Sequence, residues 1–254
     1  MSSYVGKHAG YYDIFYQDKP YAKEAACVHQ LLQKFSQGDC KRLLELACGT
    51  GSHALELEKL GYEIVATDYS EDLLAIARRK AKEANSRVDL RFQDMRELSL
   101  PDMPFDAAYC LFDSIGYVQT NEGIRQVLNR VHAHLREGGL FLFEFWHAAA
   151  MLINFEPVRE RRWSTAGGEL VRRAATRLDV PRQLAIVTYD IDERGKNGDS
   201  GVIHETQINR YFLVQEMTAF LENSHFEPLE FFPGYEDGPI NENTWHVLAA
   251  AQRN

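Results

Sequence analysis

The chain has 254 residues, 45% of them apolar, and a formal net charge of −9. This length suits one large domain, or a main domain with a smaller lobe inserted, and the apolar share supports a core without metal or disulfide staples. The acidic balance argues against extended nucleic-acid or anionic-membrane surfaces.

The start, MSSYVGKHAGYYD, lacks an apolar signal core, and no apolar run is long enough to span a bilayer. Cys27, Cys40, Cys48 and Cys110 form no CxxC pair and no zinc-spaced cluster. A cytoplasmic, metal-free protein is expected.

Residues 1–40 read as an aromatic-rich segment followed by a helix, with Ala25, Val28, Leu31, Leu32 and Phe35 at helical spacing. From Lys41, short apolar strands alternate with helices. Strands are predicted at 43–47, 63–68, 88–94, 105–113 and 140–145. Helices fall at 53–60, at 71–84 capped by Ser70, and at 121–139 ended by Gly138 and Gly139. That alternation predicts an α/β, doubly wound, mostly parallel seven-stranded sheet covered on both faces. Residues 157–212 change rhythm: β-rich runs separated by ERGKNGDSG predict a small antiparallel β meander inserted after the fifth strand. A helix at 214–225 and two last strands complete the core. The expected division is 1–40 (lid and helix), 41–156 (cofactor core), 157–212 (inserted lobe) and 213–254.

The stretch ELACGTGSHA (45–54) runs from a strand through a glycine turn into a helix. Gly49 and Gly51 allow close backbone approach, and the helix start offers free N–H groups to an anion. By itself GTGSHA also fits G-x-G-x-x-[GA] of dinucleotide-binding folds. Asp68, ending the second strand, can accept ribose hydroxyls; Asp94, or the adjacent Met95 amide, can meet an adenine edge. Glu45 decides between cofactors. It would repel a pyrophosphate, whereas S-adenosylmethionine (SAM) brings a sulfonium, an ammonium and one carboxylate.

ELACGTGSHA, ATDYSEDLLAIARRKA, FQDMREL, FDAAYCLFDSIGYV and LREGGLFLFEF together resemble the successive motifs of class I SAM-dependent methyltransferases. YVGKHAGYYDIFYQDKPY, HETQINRYFLVQEMTAFLENSHF and EFFPGY resemble, more loosely, the N,N-dimethyltransferases of nucleotide-linked aminodeoxysugars (desosamine and mycaminose type). The resemblance implies a Rossmann-like core and SAM contacts from Tyr12, Tyr21, Ala47, Asp68, Asp94, Met95 and Leu111, with Tyr69 beside them. It places Tyr4 near the acceptor amine. Those sugar enzymes carry histidine where this chain has Tyr117, and a phenol with pKa about 10 is a poor proton acceptor near neutrality.

In-line methyl transfer depends mainly on alignment, so a strong acid–base pair is not required. Tyr4 and Tyr117 are the candidate catalytic groups, and Ser114, Tyr117, Glu144 and Trp146 the candidate acceptor contacts. Glu144 can hold an ammonium. Tyr11 and Tyr16 either join the lid or dock it; His147 either starts a helix or acts in catalysis. Cys48 is expected to pack. His132 and His134 cannot share a helical face.

Arg159, Arg161, Arg162, Arg172 and Arg173 form either a solvated hairpin face or a local basic pocket. The expected function is SAM-dependent methylation of a small amine such as an aminosugar nucleotide. Methylation of a hydroxyl or a tRNA group, non-catalytic SAM binding, and NAD-dependent oxidoreduction are the alternatives. A small-molecule acceptor and a homodimer through the lobe are the expected partners.

Overall fold

The computed structural model describes residues 6–101, 103–196 and 200–254. At its centre five parallel strands run in the order β3-β2-β1-β4-β5, made of β1 (Arg42–Leu46), β2 (Glu63–Asp68), β3 (Asp89–Phe92), β4 (Phe105–Cys110) and β5 (Leu135–His147). Alternating side chains divide the core in two. Leu43, Tyr109, Leu140 and Leu142 meet α3 (Tyr21–Phe35), α4 (Ser52–Lys59) and Leu74 of α5 (Glu71–Glu83). Leu44, Leu46, Cys110, Phe141, Phe143 and Phe145 meet α6 (Asn121–His134) and α8 (Val214–Glu222). Sequence capping works as the chemistry predicts: Ser70 Oγ accepts from Leu73 N–H at 3.3 Å, and Thr120 Oγ1 from Gly123 N–H at 3.1 Å.

Two expectations are corrected. The helix after Asn121 stops at His134, not at Gly138–Gly139, because Leu135 turns extended and pairs with Phe105; a bulge then absorbs the glycines before Leu140 pairs with Ala107. The sheet is also larger than seven strands and is mixed. β11 (His246–Arg253) lies antiparallel to β5, and β10 (Phe226–Phe232) antiparallel to β11. The meander of β6 (Val158–Thr165), β7 (Gly168–Asp179), β8 (Leu184–Gly195) and β9 (Ser200–Phe212) is antiparallel, as predicted. It does not stand apart. β5 extends past the predicted strand, and Trp146 and His147 pair in parallel with Tyr211 and Phe212 of β9, giving one eleven-stranded sheet.

The remaining short elements frame the crevice beyond the strands' carboxyl ends. They are α1 (Lys7–Gly10), α2 (Tyr12–Phe15), a 3-10 turn (Ser114–Val118) and α7 (Ala148–Asn154). Phe15 packs with Trp163, Leu170 and Ile191 of the meander, while Ala9 packs on Leu73 of α5. The 3-10 turn lies hard against β9: a Cβ on Gly116 would sit 1.8 Å from Asn209 Oδ1 and 2.6 Å from Arg210 O. Gly116→Ala must push this turn off the strand. It is expected to cost about 2 kcal/mol and to lower the calorimetric midpoint by about 4–8 °C.

Candidate active site

The glycine turn follows β1 and is tied down by a side chain from β2. Asp68 Oδ2 accepts from Gly49 N–H at 2.8 Å, and Oδ1 from Ser70 N–H at 2.7 Å. Burial raises the pKa of this carboxyl, and the amide N–H groups pull it back. Gly49 has φ 57°, and its bare Cα lets the Tyr12 ring approach; a Cβ there would lie 3.5 Å from the Tyr12 hydroxyl. Beneath the turn Glu45 is 2% exposed, and its carboxylate accepts from the Tyr109 hydroxyl at 3.2 Å. Desolvation pushes Glu45 up to about 8.

A cleft of about 1560 Å³ opens above the turn. Tyr12, Ala47, Gly49, Asp68 and Tyr69 line one part; Ser114, Tyr117, Glu144 and Trp146 line another. A cavity of about 20 Å³ under it is bounded by Tyr12, Tyr21, Glu45, Ala47, Leu111 and Ser114. The structure therefore gathers most of the sequence-selected residues around one opening. Gly51 stands behind it as the residue preceding α4. Asp94 and Met95 line neither space. The Asp94 carboxylate is held by the Arg96 side chain and amide, and Met95 is packed in the core with Leu44 and Leu46. Tyr4 lies outside the described residues. Tyr11 packs around the Phe15–Trp163 cluster, whereas Tyr16 lines the cleft edge-on to Phe112. His147 is buried and within 3.2 Å of the Thr244 carbonyl.

The arginines divide between the two readings. Arg173 bonds Glu160 and Asp192, and Arg162 bonds Glu160, as a solvated face would. Yet Arg159, Arg161, Arg162 and Arg172 line the cleft, with the Arg172 guanidinium 4.5 Å from the Phe15 ring centre and 5.1 Å from those of Trp163 and Tyr189.

Sequence reasoning missed the groups that hold Glu144. Its Oε2 accepts from Phe112 N–H at 2.7 Å and from the Tyr235 hydroxyl at 3.0 Å. His246 Nδ1 lies 2.8 Å from Asp113 Oδ2 and 3.4 Å from Glu144 Oε1. Burial and the neighbouring Asp113 push Glu144 up to about 7, while Asp113 raises His246 to about 9. The only hints were the FD that ends the fourth apolar run, the tyrosine of EFFPGY and the histidine of TWHVL.

This architecture is that of an α/β methyltransferase. Residues 43–139 match a family described as a methyltransferase domain. Over 99% of this chain and 94% of the relative, the sequence is 30% identical to a dTDP-3-amino-3,6-dideoxy-alpha-D-glucopyranose N,N-dimethyltransferase from Streptomyces fradiae. It is 33% identical to a dTDP-3-amino-3,4,6-trideoxy-alpha-D-glucopyranose N,N-dimethyltransferase from Streptomyces venezuelae, over 56% of this chain and 59% of that protein. In fold it is similar to a SAM-dependent methyltransferase from Clostridium acetobutylicum, with TM-score 0.83, 18% identity and 96% of each chain covered. The chain belongs to the SAM-dependent methyltransferase family that includes the Streptomyces fradiae enzyme. Among the described residues no helix is long and apolar enough to cross a membrane.

Its cofactor is SAM, and the donor set fits that group. Glu45 and Asp68 are buried acids beside the turn, suited to an ammonium and to hydroxyl donors and ill suited to a pyrophosphate. In the ligand-free protein Glu45 has a measurable cost. Its folded pKa, about 8, lies above the roughly 4.3 of an unfolded glutamate. The native state therefore keeps its proton longer, and stability is lost as pH rises between those values. Glu45→Gln is expected to gain on the wild type across that interval, by on the order of 2–4 kcal/mol near pH 8, read from urea unfolding.

Proposed function

We propose that this enzyme methylates the amine of a small sugar nucleotide. The observation that carries the reading is the single cleft joining the glycine turn to Glu144 and Trp146. At about 1560 Å³ it exceeds the roughly 300–1,000 Å³ of a pocket for one small ligand. It has room for cofactor and acceptor side by side. The printed names of two relatives, both dTDP-aminosugar N,N-dimethyltransferases, support the choice of acceptor. So does the distribution of charge: acids near Glu144 suit an ammonium, and the arginines from the meander suit a diphosphate.

In this reading Tyr12, Tyr21, Glu45, Ala47, Gly49, Gly51, Asp68, Tyr69 and Leu111 surround the cofactor. By the sequence resemblance Asp94 or the Met95 amide meets the adenine edge, although neither residue lines the cleft. When bound, SAM supplies an electrophilic methyl on a sulfonium. The chain's own task is alignment. Trp146 walls the acceptor, Ser114 and Tyr117 orient it, and Glu144 neutralises its charge; Tyr4 belongs near the amine by resemblance. The aromatic segment ahead of α3 serves as a lid, supported by Asp13, whose Oδ1 lies 2.6 Å from Thr50 Oγ1 and 3.0 Å from Lys80 Nζ. Four free cysteines suit the cytoplasm.

Labelled SAM incubated with dTDP-aminosugars and their hydroxyl counterparts is expected to label nitrogen alone. Label on the hydroxyl compounds alone would overturn the amine reading. Trp146→Ala is expected to raise the acceptor KM about tenfold, the equivalent of roughly 1.4 kcal/mol of lost ring contact, while S-adenosylhomocysteine affinity by titration calorimetry holds.

A further inference from the structure

Methylation of an amine needs its lone pair, but an amine of pKa about 8–10 reaches a neutral-pH enzyme mostly as ammonium. Tyr117 is placed badly for taking that proton. Its hydroxyl already donates to Gln207 Oε1 at 3.1 Å, and an ordinary phenolate forms only near pH 10. Among the described residues lining the cleft, His246 is the only histidine.

The surroundings of this ring are built at some expense. Phe112 and Asp113 leave β4 in consecutive left-handed conformations, φ 57° and 55°, which cost about 1 kcal/mol or more each in residues other than glycine. That path turns the Phe112 N–H onto Glu144 and the Asp113 carboxylate onto His246. Asp113 Oδ1 is buried with no hydrogen-bond partner among the described residues, so Oδ2 carries the carboxylate's side-chain bonding, to His246. Both carboxylates are nearly sealed, at 3% and 4% side-chain exposure, while the imidazole is 44% exposed at the cleft. With Nδ1 held by Asp113, Nε2 is the nitrogen left for a ligand.

We propose that Asp113, Glu144 and His246 act as one proton-accepting unit, in which His246 Nε2 takes the proton of the acceptor's ammonium. The inference rests on the amine reading. One N–H bond of the ammonium breaks, its electron pair stays on nitrogen as the attacking lone pair, and the proton forms an N–H bond with the neutral imidazole. Nδ1–H keeps its bond to Asp113 throughout. Asp113 and, less strongly, Glu144 favour the resulting imidazolium, burial and Lys19 oppose it, and the balance sets His246 at about 9. A base so matched to an ammonium accepts its proton almost without an uphill step. The neutral form is the active one, so turnover climbs with pH until the ring has lost its proton.

With a saturating amine acceptor, wild-type kcat is expected to rise through neutral pH, pass half its maximum near pH 9 and level off only above that. His246→Asn is expected to lose about 100-fold or more in kcat, with S-adenosylhomocysteine affinity unchanged. Imidazole added to His246→Gly should restore turnover in proportion to its concentration. Histidine-ring NMR of the ligand-free enzyme gives a reading free of catalysis: His246 is expected to titrate near 9, and lower in Asp113→Asn. A wild type that methylates hydroxyls and no amine overturns both the amine reading and this role. Amine methylation that survives His246→Asn within about threefold, or a His246→Gly variant deaf to imidazole, overturns the role of His246 alone.

Discussion

Two backbone amides on one buried carboxylate hold the cofactor turn in place. Asp68, at the end of β2, takes Gly49 N–H with one oxygen and Ser70 N–H with the other. The first bond fixes the left-handed turn after β1; the second orients Ser70, which caps α5. A single side chain thus sets the spacing between two strands and the entry angle of a helix. Around that fixed point the tyrosines of the N-terminal segment and the end of β4 can be placed to within a hydrogen bond. An acid in this position costs desolvation, and only amides as rigid as these repay it.

Much of this was legible. β2 coincides with the apolar run 63–68, and α3 matches the helical spacing of Ala25, Val28, Leu31 and Leu32. The glycine turn and Asp68 were visible because strand, turn and helix each leave a local pattern. What stayed hidden depended on contacts between distant segments. Asp113, Tyr235 and His246 come from three parts of the chain, and no spacing links them to Glu144. The two-residue pairing of β5 with β9 is too short to leave a periodicity. The Asp94–Arg96 ion pair is different, since its two residues stand only two apart in the sequence.

Charges of both signs line the cleft. Asp113 and Glu144 come from the end of β4 and from β5, while the meander contributes Arg159, Arg161 and Arg172. A net charge of −9 conceals these local cations. Composition says nothing about a short basic wall folded over a cavity. The inserted strands bring the arginines to the opening, and the aromatic rings around Arg172 keep its guanidinium from turning to solvent.

The N-terminal segment touches both ends of this arrangement. Asp13 reaches Thr50 of the glycine turn and Lys80 of α5, and Phe15 is packed into the meander. Moving this segment off the turn means breaking a charged contact and an aromatic one together. The same few residues of helix therefore couple the glycine turn to the inserted strands, so a change that loosens Phe15 in the meander also weakens the hold on Thr50 and Lys80.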